Sequence, residues 1–215
     1  NIKKSVIFLL SSNLGEVTAM FAAVTAGWEA PLLATQILWI NLLTDSLPAV
    51  ALGMDPSDPD VMKERPRNPD EGFFSGRAGF NVISGGVAIG LITVLSFWYG
   101  YYIHGYSPFD RSVPSYVLEY ARTMAFLSII FSQLFYTLSF RHYRKTIFTT
   151  GILSNRYLIG AIAIAILLQV AILYIPPLKT AFRLTVPDMF AWLVIVVAGL
   201  IPLFFRELSK LFFWK

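Results

Sequence analysis

Asn41, Thr44 and Asp45 stand at i, i+3 and i+4 in the apolar run Gln36-Ile-Leu-Trp-Ile-Asn-Leu-Leu-Thr-Asp-Ser-Leu-Pro48. At about 100° per residue they share one helix face. An aspartate inside an apolar span is costly and needs a partner. Pro48 has no amide hydrogen to offer the carbonyl of Thr44, which leaves that carbonyl open to another donor or to a ligand. Three side-chain oxygen groups and a freed carbonyl on one face suit a hard cation. The alternative is a polar face buried against other helices and satisfied internally.

A second acid lies upstream in Ser11-Ser-Asn-Leu-Gly-Glu16. Asn13 and Glu16 are i and i+3 and share a face. Of thirteen acidic residues, only Glu16 and Asp45 fall deep inside apolar runs. The two runs are joined by a short turn around Gly27-Trp-Glu-Ala30, and such neighbours usually pack antiparallel. That packing brings Asn13, Glu16, Asn41, Thr44 and Asp45 together at mid-membrane depth. No basic residue inside a run is on hand to neutralise the acids, so a bound cation or protons must do so. Two protonated, hydrogen-bonded acids are the other possibility.

The elements that must position these residues follow from composition. The 215 residues are 56% hydrophobic and 14% charged, with a mean hydropathy of +0.62. Soluble domains are usually about 25% charged. The expected fold is all-α, a polytopic membrane helix bundle of six transmembrane helices. The runs are long enough to cross the bilayer, which takes about 20 residues. They lie at about 5–26, 31–53, 79–104, 122–140, 157–175 and 189–205. Residues 1–215 then form one transmembrane transport domain. The chain opens on Asn1 rather than methionine, as a piece of a longer chain would. There is no cysteine, which excludes disulfides, thiolate metal sites and cysteine nucleophiles. Thirteen of the seventeen basic residues fall on one side of this topology, four (Arg111, Arg122, Lys179, Arg183) on the other. By the positive-inside rule both termini and the 54–78 loop are cytoplasmic.

The remaining polar features are weaker. Asp55, Asp58 and Asp60 resemble part of a calcium loop by spacing, but the glycine and terminal glutamate of an EF-hand are missing. The prolines around them favour a stiff connector that docks on another domain. Gly86 and Gly90 form a GxxxG for close helix packing. Gln133 either reaches the cation cluster or hydrogen-bonds a neighbouring helix. Arg141-His-Tyr-Arg-Lys145 is basic beside the membrane and suits acidic headgroups.

Together Ser11-Ser-Asn-Leu-Gly-Glu16, Trp39-Ile-Asn-Leu-Leu-Thr-Asp45, Leu47-Pro48-Ala49, Gly53 and the Met62–Pro69 loop resemble P-type calcium pumps. The likeness is to the last six membrane helices, the fifth to tenth of ten. It is nearest to the sarco/endoplasmic-reticulum type and its bacterial relatives, and it runs the whole chain. Asn155-Arg-Tyr-Leu-Ile-Gly160 and Ile172-Leu-Tyr-Ile-Pro-Pro-Leu178 look like the ninth helix and the loop after it.

The resemblance implies cation ligands at Asn13, Glu16, Asn41, Thr44 and Asp45, with Asp45 serving two adjacent sites. Gln133 stands where the reticulum-type pumps have a glutamate ligand, which puts a second ion in question. Ser46 replaces a glycine common after the aspartate. Sodium/potassium pumps commonly carry an aspartate at the place of Asn41, which favours calcium. The implied cargo is Ca2+, with protons returning. ATP and Mg2+ would act in cytoplasmic phosphorylation and nucleotide-binding domains that this sequence lacks: it has no Asp-Lys-Thr-Gly-Thr. The implied partners are those domains, the first four helices of the same pump and the lipid bilayer. The membrane would be a bacterial cell membrane or a eukaryotic endomembrane. A cation channel or proton-coupled transporter complete in six helices is the rival, though it would predict an internal repeat, and none is seen. A non-transporting membrane scaffold is the other.

Overall fold

The computed structural model describes residues 1–56, 78–110, 112–142 and 145–213, and among them there is helix and no strand. Asp58, Asp60 and most of the 54–78 loop lie outside the described residues. Five helices are long and apolar enough to cross a membrane. They are α1 (Ile2–Thr25), α4 (Ala78–Tyr102), α5 (Ser115–Leu138, carried on to Arg141 by a 3-10 turn), α7 (Arg156–Tyr174) and α9 (Met189–Phe213). α6 (Ile147–Thr150) and α8 (Pro176–Ala181) are short connectors.

The expected second span, 31–53, is not one helix. α2 (Ala34–Trp39), a π-helical turn (Ile40–Asp45) and α3 (Ser46–Gly53) follow one another without a gap. Unbroken spans among the described residues therefore number five rather than six. The cause lies in Pro48. Restarting the helix at Ser46 puts Pro48 in a first turn, where an N–H has no intrahelical partner to lose. The Ser46 hydroxyl donates to the carbonyl of Asn41 at 2.8 Å and helps to satisfy the widened turn. Single π turns of this kind concentrate at functional sites.

α1 ends at Gly27, whose φ of 75° supplies the left-handed residue of a helix stop. The Trp28 amide reaches back to the Ala23 carbonyl at 2.9 Å and closes it. α7 starts at Asn155, whose side chain accepts from the Leu158 amide at 3.0 Å.

α5 is the centre of the bundle. Buried residues make up 89% of its most apolar stretch, against 44% or less in the other four long helices. Those four turn large apolar side chains outward, among them Phe21, Leu95, Leu167 and Phe204, as a lipid-facing surface requires. Two span ends differ from expectation. Arg122, expected at the outer edge of the fourth span, lies two turns inside α5 and is buried. Its guanidinium reaches back to the Ala30 carbonyl at 2.9 Å and to Glu29 at 3.5 Å. The last span runs on to Phe213 and buries Arg206, Glu207 and Lys210. Their charges are met internally: Lys210 pairs with Glu207 at 2.7 Å, and Arg206 lies over the Phe140 ring at 3.9 Å.

α1 and α4 pack closely through the GxxxG, as its spacing predicts. A Cβ on Gly90 would meet Thr18 at 2.6 Å and the Gly15 carbonyl oxygen at 2.9 Å. The second is backbone and cannot turn away. Gly90→Val is therefore expected to part the two helices and cost about 1–3 kcal/mol. The thermal midpoint of the purified protein reads this out, and an unchanged midpoint would mean the helices are not held at this distance.

Candidate cation site

α1, the π turn and α5 meet around two buried acids. Glu16 on α1 is 5% exposed and Asp45 at the end of the π turn is fully buried. Asn41 donates one amide hydrogen to Glu16 Oε2 at 3.0 Å and the other to the Ile37 carbonyl at 3.0 Å. Gln133 on α5 is fully buried and donates to Glu16 Oε1 at 3.5 Å. Thr44 is buried and donates its hydroxyl hydrogen to the Ile40 carbonyl at 2.8 Å, so its oxygen lone pairs remain. Gln133 thus hydrogen-bonds a neighbouring helix, bridging α5 to α1 at Glu16.

Asp45 is unlike the rest. No group meets hydrogen-bond geometry to either of its carboxylate oxygens; the Ser12 hydroxyl stands beside it as a donor, and Glu16 is its charged neighbour. The buried Ser12 hydroxyl and the Gln133 Oε1 are also unpartnered. All four of these atoms are oxygens, contributed by three separate elements. Buried polar atoms are normally hydrogen-bonded, and a buried charge without a partner is costlier still. Among the described residues no ion pair reaches either acid. A set of inward oxygens with spare negative charge is the donor chemistry of a hard cation. No three His, Cys, Asp or Glu converge among the described residues. A cation here would take its other ligands from amides, hydroxyls and carbonyls. Rotating the Asn41 or Gln133 amide by half a turn presents its oxygen in place of its N–H.

Asn13 is not brought in. It is exposed and bonds to neither acid, though it is three residues from Glu16. Ser12 takes the inward place beside it. The signal for Ser12 was present in the i, i+4 spacing to Glu16, which shares a face as well as i, i+3 does.

Asp55 also departs from expectation. It is buried at the end of α3 rather than displayed for docking, and it accepts from Lys4, Arg141 and Asn155.

The family described as "Cation transporting ATPase, C-terminus" matches residues 29–212. The chain belongs to that family. It is 43% identical to calcium-transporting ATPase 1 of Bacillus cereus over 216 residues, which is 98% of this chain and 24% of the relative. It is 38% identical to a calcium-transporting ATPase of Bacillus subtilis, over 95% of this chain and 22% of the relative. Against the endoplasmic reticulum-type calcium-transporting ATPase 3 of Arabidopsis thaliana the identity is 31%, over 98% of this chain and 23% of the relative. The chain therefore spans about a quarter of the length of these curated relatives. The resemblance read from the paired Ser11–Glu16 and Trp39–Asp45 motifs holds for the cation-transporting ATPase C-terminus, with relatives of both the bacterial and the reticulum type.

Proposed function

We propose that this chain is the ion-binding membrane part of an ATP-driven calcium pump, with Asp45 as the central ligand. The observation that carries the reading is the fully buried Asp45 carboxylate with both oxygens unpartnered, next to Glu16 and with no cationic side chain paired to it among the described residues. The relatives' printed names support calcium as the cargo. Asn41, Thr44, Ser12 and Gln133 supply further oxygens, while Glu16 beside them carries the returning proton. Asn13 joins only if α1 turns.

The cycle proposed for this arrangement is that of an ATP-driven pump. Phosphorylation in a cytoplasmic domain tilts the helices, alters the ligand geometry and opens the site to the far side. The π turn is the soft point at which α3 and α2 can move separately. The vacated acids return with protons. In this reading 34–53 crosses the membrane as a sixth, locally widened span. The positive-inside count then leaves both ends of the segment cytoplasmic.

Reconstituted into sealed vesicles, the full-length pump is expected to accumulate calcium when ATP is added outside. The lumen becomes more alkaline as protons leave. ATP hydrolysis that responds to sodium or potassium and ignores calcium overturns the calcium assignment. Calcium uptake with a constant luminal pH overturns proton return alone.

A further inference from the structure

At the end of α3 away from the π turn, a second polar assembly ties four elements together around one carboxylate. Asp55 is 7% exposed. Its Oδ2 accepts from Lys4 Nζ at 3.2 Å, and its Oδ1 accepts from Arg141 Nε at 3.2 Å and Asn155 Nδ2 at 2.8 Å. The donors come from the first turn of α1, the 3-10 turn after α5 and the cap of α7. Arg141 spreads its fork further, to the Gly151 carbonyl and the Ser154 hydroxyl, both at 2.6 Å. A planar guanidinium that makes three such bonds holds one orientation. Lys4 also donates to the Arg141 carbonyl at 2.6 Å. The last carbonyls of α3 are closed by side chains from the same neighbours. Ser5 donates to Ala49 at 2.7 Å, Asn155 to Ala51 at 3.2 Å and Asn1 to Gly53 at 3.2 Å.

The cation site lies along the same two helices. Lys4 is twelve residues before Glu16 on α1, about 18 Å at 1.5 Å per residue. Asp55 is ten residues after Asp45, about 15 Å along α3. The Lys4–Asp55 pair therefore joins the two acid-bearing helices at one end and at similar distances from their acids. An axial slip of α3 against α1 would carry Asp45 past Glu16, with the change taken up at the widened π turn. We infer that Asp55 is a positioning residue: its clasp on Lys4, Arg141 and Asn155 sets the depth of Asp45 relative to Glu16 and so the calcium affinity. This rests on the calcium-pump reading of the site.

The test uses the full-length pump in native-like membranes, with calcium-activated phosphorylation by ATP as the readout. Asp55→Asn is expected to raise the calcium needed for half-maximal phosphorylation at least tenfold, with the ATP dependence and the maximal phosphoenzyme level unchanged. Lys4→Met removes one donor and raises it about threefold; Lys4→Arg restores the wild-type value. Because Asp55→Asn already breaks the shared contact, adding Lys4→Met shifts the calcium requirement by less than Lys4→Met does alone, the remainder being the Lys4 bond to the Arg141 carbonyl. A clasp that only stabilises the fold would lower the thermal midpoint and leave the calcium dependence where it was, and that result overturns the inference. If Asp55→Asn does not accumulate, equal calcium dependence in Lys4→Met and Lys4→Arg overturns it. Asp45→Asn is run in parallel. If that variant binds calcium normally, the site reading has failed; if it does not and Asp55→Asn does, only the clasp has failed.

Discussion

Asp45→Asn in the full-length pump is expected to abolish calcium-activated phosphorylation, with phosphoenzyme at saturating calcium falling at least a hundredfold. Asp45 is fully buried, with two free oxygens and, among the described residues, no cationic side chain paired to it. An amide replaces a full negative charge with one oxygen dipole and adds two N–H donors that repel a cation. The calcium-free fold should feel the change little. With calcium gone the acid carries a proton, so the amide replaces one neutral polar group by another of the same shape. The thermal midpoint without calcium should therefore stay level. The calcium-induced rise of the wild type, about 2.7 kcal/mol at a hundredfold excess over the dissociation constant, should vanish. Radioactive phosphate incorporation and calcium-dependent thermal melts read the two effects. Normal calcium-activated phosphoenzyme in this variant would remove Asp45 from the site.

The apolar runs announced the bundle because a lipid-facing helix has to be apolar over a fixed length. They could not announce the π turn. Widening a helix by one residue leaves the composition of the run untouched, and only Pro48 hinted at where the ladder changes. Charges misplaced two helix ends for a similar reason. Arg122 stood at the very edge of its expected span and Arg206 and Lys210 beyond the end of theirs, yet each lies within a helix and finds partners through its long side chain. The meeting of Glu16 with Asn41 and Asp45 was legible because these residues repeat at helical spacing within two short motifs. Inward against outward within a turn was not: Ser12 faces the acids, and Asn13 is exposed. The Asp55 clasp was illegible for a stronger reason. Its partners lie 51, 86 and 100 residues away in the chain, and no local pattern encodes such a meeting.

Wild-type pump is expected to bind one calcium per phosphorylation site, and Glu16 to carry a proton rather than a second ion. Glu16 is already satisfied from both sides by N–H donors, Asn41 at 3.0 Å and Gln133 at 3.5 Å. Asp45 has no such donors, so the first ion gains most there. A second ion near Glu16 would have to turn both amides and would meet only one carboxylate. Gln133→Glu supplies the missing charge and is expected to raise the count towards two, with positive cooperativity. Glu16→Gln should keep calcium-dependent phosphorylation. Its effect falls on the return step. If dephosphorylation needs a proton on Glu16, the wild-type rate falls as pH rises and the acid empties. A permanently neutral glutamine makes that rate independent of pH over the same range. Equilibrium binding of radioactive calcium counts the ions, and phosphoenzyme decay at several pH values gives the slope. Two ions in the wild type would refute the one-ion cycle. A wild-type pH slope in Glu16→Gln would take Glu16 out of the proton path and leave it a residue that holds α1 to the π turn.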